Sequence, residues 1–141
     1  MGTRFTIIKT ALWEVPRNEI IAPETPEIAA ENRKIQIPGY CVLIQHPTLG
    51  NILYDTGIAF DKDVTWRDDM RKLYHFQEFY YLDEKLAELG LTVQDIDYLI
   101  ISHLHYDHAG NIKMFQNTKA GRNGVIISEA EAKQAFVKVN L

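Results

Sequence analysis

Tyr98-Leu99-Ile100-Ile101-Ser102-His103-Leu104-His105-Tyr106-Asp107-His108-Ala109-Gly110-Asn111 decides how the rest of this chain is read. Its first four residues form a continuous apolar run with β-branched side chains, the pattern of a strand covered on both faces. His103, His105, Asp107 and His108 follow within six positions. A rigid element therefore delivers them to the carboxyl end of a sheet, the edge where ligands bind in open α/β sheets. In extended backbone, residues two apart point the same way, so His103 and His105 can present imidazoles to one ion. A turn at Tyr106 then sends Asp107 and His108 toward a neighbouring position. Two ions roughly 3.5–4 Å apart would share a bridging water there. Zinc suits histidine with carboxylate, and iron, manganese or cobalt accept the same ligand types. The competing reading is a histidine-rich surface loop without metal. The ordered spacing directly after a buried strand counts against it.

Upstream, Leu82, Leu86 and Leu89 recur at four and three residues, and Gly90 stops the amphipathic helix they define. Tyr40 to Ile44 and Ile52 to Tyr54 are apolar runs separated by His46-Pro47-Thr48-Leu49-Gly50-Asn51, which reads as a hairpin. Phe5 to Ile8 predicts a short strand. Pro16 to Pro38 predicts an extended excursion with a helical turn near Ile28 to Glu31. The segment from Ile58 to Tyr81 is rich in aromatics (Phe60, Trp66, Tyr74, Phe76, Phe79, Tyr80, Tyr81) and partly helical. Downstream, Val125 to Ile127 predicts another strand. Ser128 with Glu131 predicts a capping box opening a helix to about Phe136. Helix followed by buried strand implies α/β layering.

The 141 residues fit one domain, and 46% hydrophobic with 24% charged content is that of a globular chain. A net charge of -4 gives no electrostatic reason to expect nucleic acid or an anionic membrane as partner. The single Cys41 excludes an internal disulfide and a cysteine zinc knuckle. In its apolar run it reads as a small buried hydrophobe, consistent with a reducing, cytoplasmic setting. No apolar stretch approaches the length of a membrane span.

The segment Ser102-His103-Leu104-His105-Tyr106-Asp107-His108-Ala109-Gly110-Asn111 resembles the metal motif of the metallo-β-lactamase superfamily, and Leu53-Tyr54-Asp55-Thr56-Gly57 resembles it too. Three features resemble its N-acyl-homoserine lactonase branch: Ile35-Gln36-Ile37-Pro38, Ile44-Gln45-His46-Pro47, and the aromatic insertion after Gly57. The resemblance implies an α/β fold, the αββα sandwich, of which residues 1–141 supply the N-terminal half, one sheet with its flanking helices. It implies two zinc ions or other divalent metals, with His103 and His105 on the first and Asp107 and His108 on the second. It makes Asp107 part of the catalytic centre, and implies opening of a lactone or ester by a metal-bridging hydroxide. Asp55 would support the ligand loop from behind. A turn-capping aspartate ahead of Gly57 is an equal reading.

The family completes its site with downstream ligands, and this sequence has no histidine after His108. Glu129 and Glu131 fall on the predicted capped helix, where the helix dipole accounts for them. His46 and His75 read as surface or packing residues. These absences point to half of a longer enzyme, able to form a homodimer or to pair with a missing C-terminal half. Three functions follow. One is a lactonase-like hydrolase of small lactones or esters. The second is another hydrolase of the superfamily, such as a hydroxyacyl-glutathione thioesterase. The third is an inactive truncated chain.

Overall fold

Two long strands carry the architecture of the computed structural model, which describes residues 2–137 apart from 23, 24, 32 and 74. β1 (Arg4–Pro16) and β2 (Lys34–His46) pair antiparallel along almost their whole length, from Arg4 opposite Gln45 to Pro16 opposite Lys34. A bulge between Lys9 and Ala11 breaks the pairing register once. Because side chains alternate with period two, the extra residue switches which parity faces the core. Ile8 points inward before the bulge. Ala11, Trp13 and Val15 point inward after it.

Between these strands lie two short helices, α1 (Arg17–Ile20) and α2 (Pro26–Glu31), the second covering the helical turn expected there. Pro23, also in that excursion, falls outside the described residues. β3 (Gly50–Tyr54) returns from β2 as the expected hairpin. Then come α3 (Lys62–Thr65), α4 (Asp68–Leu73) and β4 (His75–Phe79), which pairs with β1 on the outer edge. α5 (Leu82–Glu88) and a 3-10 turn (Val93–Asp95) lead into β5 (Tyr98–Ile100), parallel to β3. α6 (Tyr106–Ala109), a second 3-10 turn (Ile112–Phe115) and α7 (Lys119–Asn123) precede β6 (Val125–Ile126), parallel to β5. α8 (Glu129–Val137) comes last. The six strands run in the order β4-β1-β2-β3-β5-β6, a mixed sheet of α/β type.

Ile8, Cys41, Leu43, Leu53 and Leu99 lie on one face of the sheet and pack with Leu82 and Leu86 of α5, with Ile96, and with Phe115 and Ala120. Burial pushes the Cys41 thiol far above its ordinary range, so it behaves as the inert hydrophobe expected of it. A second cluster under the far ends of β1 and β2 joins Trp13 and Val15 to Ile58 and Trp66, with Phe76 and Phe79 against them.

Three sequence expectations need correction. The first strand is longer than Phe5 to Ile8, and β2 begins six residues before Tyr40, because the two strands sustain each other across the bulge. The aromatic insertion is partly helical, as expected, and His75 to Phe79 also joins the sheet along the edge of β1, where Phe76 and Phe79 are half-buried. Tyr74, just before it, lies outside the described residues. Leu89 faces solvent, leaving Leu82 and Leu86 as the buried stripe of α5. Finally, β5 is covered on one face only. Leu99 is fully buried, whereas Tyr98 and Ile100, pointing the other way, are only half-buried. No helix among the described residues is long and apolar enough to cross a membrane.

This asymmetry predicts unequal mutational costs in the isolated chain. Leu53→Ala, beneath α5, should lower unfolding free energy in urea by ~2–5 kcal/mol. Ile7→Ala, on the open face, should change it by no more than ~0.5 kcal/mol.

Candidate metal centre

The site grows from two loops at the carboxyl ends of parallel strands β3 and β5. Each leaves its strand polar and each needs partners for its backbone. They find them in one another. Asp55 N–H donates to the Ile100 carbonyl (2.8 Å), and Thr56 N–H donates to the His108 carbonyl (2.6 Å). The Thr56 hydroxyl donates to that same carbonyl and accepts from the Asn111 N–H. Asn111, 2% exposed, sends its amide to the carbonyls of Thr56 and Ile58, both at 2.7 Å, and its Oδ1 accepts from Phe60 N–H.

Glycine permits the contact. A Cβ on Gly110 would stand 2.3 Å from Ala59 N and 2.7 Å from the Gly57 carbonyl oxygen. Gly110 N–H donates to that carbonyl. Gly57, at φ +70°, turns the first loop back under the second.

Asp55 joins the two loops at the centre. Its backbone sits at φ 61°, the left-handed region, and among the described residues no other non-glycine does so. Aspartate tolerates that conformation better than most residues, and such strain gathers at sites where the surroundings enforce it. Its carboxylate accepts from Ser102 N–H (2.7 Å), the Ser102 hydroxyl (2.8 Å) and His108 Nδ1 (2.7 Å). The carboxylate thus ties the end of β3 to the loop after β5. Burial raises the Asp55 pKa, yet the bonds from His108 and Ser102 outweigh it and hold the carboxyl below its ordinary range.

The predicted site residues converge. The His103 and His105 rings stand 4.6 Å apart between centroids, and His103 lies 4.0 Å from His108. His103 Nδ1 is 3.0 Å from the Ser102 hydroxyl. Burial, with the charges of His108 and His105 behind it, lowers the His103 pKa. His108 is the opposite case. Its Nε2 meets Asp107 at 3.2 Å and its Nδ1 meets Asp55, so the two carboxylates lift its pKa to about 9. Asp107 is pushed up by burial but pulled further down by His108, and ends below its ordinary range.

The donors, clustered imidazoles with a carboxylate beside them, are of the type that zinc and other divalent metals accept. Its number falls short. Among the described residues no three His, Cys, Asp or Glu side chains stand where they could hold one ion. His108 and Asp107 face each other instead. His103 and His105 are the imidazoles without a carboxylate against them. His46 accepts from Thr48 and Leu49 N–H in the β2–β3 turn, and His75 sits exposed on β4.

Other supports escaped the sequence. Glu131 Oε1 accepts from Leu104 N–H (2.8 Å), between the first two histidines. The capping box is therefore half formed: the Ser128 hydroxyl accepts from Glu131 N–H, while the Glu131 carboxylate is spent on the ligand loop. The helix-dipole explanation of Glu131 is incomplete for this reason. Asn111 has no role of its own in the sequence reading. Its signal is the burial of an amide, which a sequence does not show. Trp66 of the aromatic insertion packs on Tyr106 at 5.6 Å between ring centroids. With Ala59, Ala109, Ile112 and Phe115 the two line a cleft of about 650 Å³ beside α6.

The profile of the metallo-beta-lactamase superfamily matches residues 36–139, covering both loops and the strands that present them. The chain belongs to the metallo-beta-lactamase superfamily. Among superfamily members it is 32% identical to N-acyl homoserine lactonase AiiB of Agrobacterium fabrum, over 93% of this chain and 49% of that protein. AiiA of B. thuringiensis, solved with N-decanoyl-L-homoserine at its active site, superposes with a TM-score of 0.65 at 23% identity, over 84% of this chain and 48% of AiiA. AidC, a dizinc quorum-quenching lactonase, superposes at 0.64 with 22% identity, over 93% of this chain and 44% of AidC. The chain thus spans about half the length of the relatives it matches.

Two predictions follow from the loops. In metal-stripped protein His108 stabilises the fold while it is charged in the folded state and neutral in the unfolded one. That contribution is complete below about pH 6.5 and disappears as pH rises through about 9. Depressed Asp55 and Asp107 contribute above about pH 3.8 and are lost as pH falls. The thermal midpoint should therefore drop from pH 6.5 to 9.5, and His108→Gln should flatten that drop. Separately, Glu131→Gln keeps an acceptor and should leave zinc affinity within a few fold. Glu131→Ala frees the Leu104 amide and should weaken affinity roughly 10-fold by competition titration.

Proposed function

We propose that this chain is the metal-ligating segment of a metal-dependent hydrolase that opens lactones, with N-acyl-homoserine lactones as the class to try first. The observation carrying this reading is the tie from Asp55 to His108 and Ser102, which fixes the loop bearing His103, His105 and Asp107. Metal centres depend on such outer bonds to orient their ligands. His103 and His105 would hold one zinc, and Asp107 and His108 would bear on a second. Bound zinc supplies Lewis acidity toward an ester carbonyl and lowers the pKa of water.

This chain's own residues do the orienting. Ser102 fixes His103 through Nδ1, which leaves Nε2 as the ring's ligating nitrogen. Asp55 fixes His108 through Nδ1, so that Nε2 and its partner Asp107 point to the same place. The cleft beside Tyr106 and Trp66 is mostly apolar and within the size range of small-molecule sites. It suits an acyl chain better than a phosphodiester, and the -4 charge favours neutral substrates over polyanions. AiiA binds N-decanoyl-L-homoserine and AidC binds N-hexanoyl-L-homoserine, which supports the same class here.

The test is elemental analysis of the purified chain beside a His103→Ala/His105→Ala pair, followed by a lactone and thioester panel at saturating zinc. Bound zinc that disappears in the double variant, with lactone opening above background, is the expected result. Zinc unaffected by the double variant would falsify the ligand assignment. Turnover of glutathione thioesters but not lactones would move the substrate to the thioesterase class.

A further inference from the structure

β1 reaches the first metal loop from two strands away. Its bulge leaves Thr10 without a partner on β2, since Lys9 stands opposite Tyr40 and Ala11 opposite Gly39. Thr10 and Ala11 are both buried, so the bulge turns two adjacent side chains inward where a regular strand turns one. The Thr10 carbonyl accepts from Tyr80 N–H (2.9 Å), which holds the bulge from the side of β4.

The Thr10 side chain ends on two glycines. A Cβ on Gly57 would stand 3.1 Å from Thr10 Oγ1 and 3.2 Å from both Cβ and Cγ2. A Cβ on Gly39 would stand 3.3 Å from the same hydroxyl. Thr10 therefore fills the space that a side chain at Gly57 would need. The residue is 2% exposed, and its hydroxyl has no hydrogen-bond partner among the described residues. An unpartnered buried hydroxyl is unfavourable, so no polar bond explains why this side chain sits here. Contact does. A β-branched side chain has restricted χ1, which suits a spacer.

Gly57 matters because of what lies beyond it. Its carbonyl accepts from Gly110 N–H (3.0 Å), and it forms an isolated parallel bridge with Ala109. Thr56, one residue earlier, donates to the His108 carbonyl. Two contacts thus join the β1 bulge to α6, which carries Asp107 and His108.

We propose that Thr10 is a positioning residue of the metal centre, the fixed stop against which the Gly57 turn and, through it, α6 are seated. Side-chain shape does the seating, and the hydroxyl contributes nothing to it. The seat stands on packing alone. Its bearing on metal rests on the hydrolase reading.

Hydrogen exchange on the metal-free chain tests the seat. In Thr10→Ala the Gly110 and Thr56 amides should exchange roughly tenfold faster relative to the Leu43 amide in mid-sheet, which reports global opening. Ile8→Ala removes buried bulk from the same strand beneath α5 and should leave that ratio unchanged. Thr10→Val keeps the shape without the hydroxyl. It should retain the wild-type ratio and leave the thermal midpoint unchanged or higher. If the alanine variant does not fold, Thr10→Ser, which drops only Cγ2, should show a smaller acceleration of the same sign. Gly57→Ala should also loosen these amides, through the clash and its φ of +70°. Combined with Thr10→Ala it should cost less than the two effects summed, because two of the three atoms that the new methyl meets are gone. A ratio raised equally by Ile8→Ala, a valine variant as loose as the alanine one, or additive effects at positions 10 and 57 would each overturn the proposal. Zinc affinity by competition titration reads the metal link, and should be roughly tenfold weaker in Thr10→Ala but within a few fold of wild type in Thr10→Val. Unchanged zinc affinity in Thr10→Ala would reduce Thr10 to a packing residue and overturn its role at the metal. A chain that binds no zinc in any form would remove the hydrolase reading and with it the metal part of the proposal, while the exchange ratios still decide the seat.

Discussion

A carboxylate in left-handed backbone, Asp55, holds the end of β3 to the loop after β5, and the rest of the site depends on that bond set. Parallel strands leave their carboxyl ends side by side with unpaired backbone groups. Here Asp55, Thr56 and Asn111 satisfy those groups mutually, so neither loop can take its conformation without the other. The strain at φ 61° is tolerated because the carboxylate gains three partners in exchange. Such a unit places imidazoles by geometry rather than leaving them to a mobile loop.

Much of this was legible. The buried strand before a His-x-His-x-Asp-His run marked where the imidazoles and Asp107 cluster, because apolar continuity and residue spacing are local patterns. The hairpin, α5 and β6 were likewise legible from local signals. What escaped was set by long-range pairing. The bulge at Thr10 inverts an alternation that Phe5 to Ile8 displays correctly, and β4 is a strand only because β1 offers an edge. Asn111 and Glu131 belong to the same class. Their roles are fixed by backbone groups fifty-five and twenty-seven positions away, at Thr56 and Leu104, and nothing near them in sequence announces those partners.

The sheet itself is built unevenly. One face buries Leu43, Leu53 and Leu99 beneath α5 and the segments around Phe115, while the opposite face carries apolar side chains into solvent. Tyr98 to Ile101 reads as doubly covered because its composition is that of a strand covered on both sides. Composition and structure differ at the second layer only.

The charge pattern of the loop shows how an ion would enter such a framework. In the metal-free arrangement His108 carries a proton between Asp107 and Asp55, so three charges sum to about one negative unit in a half-buried site. His108 Nε2 and Asp107 would hold a divalent cation only with that proton given up, because a ligating imidazole is neutral. Asp55 would keep its bond to His108 Nδ1, the outer partner that orients the ring.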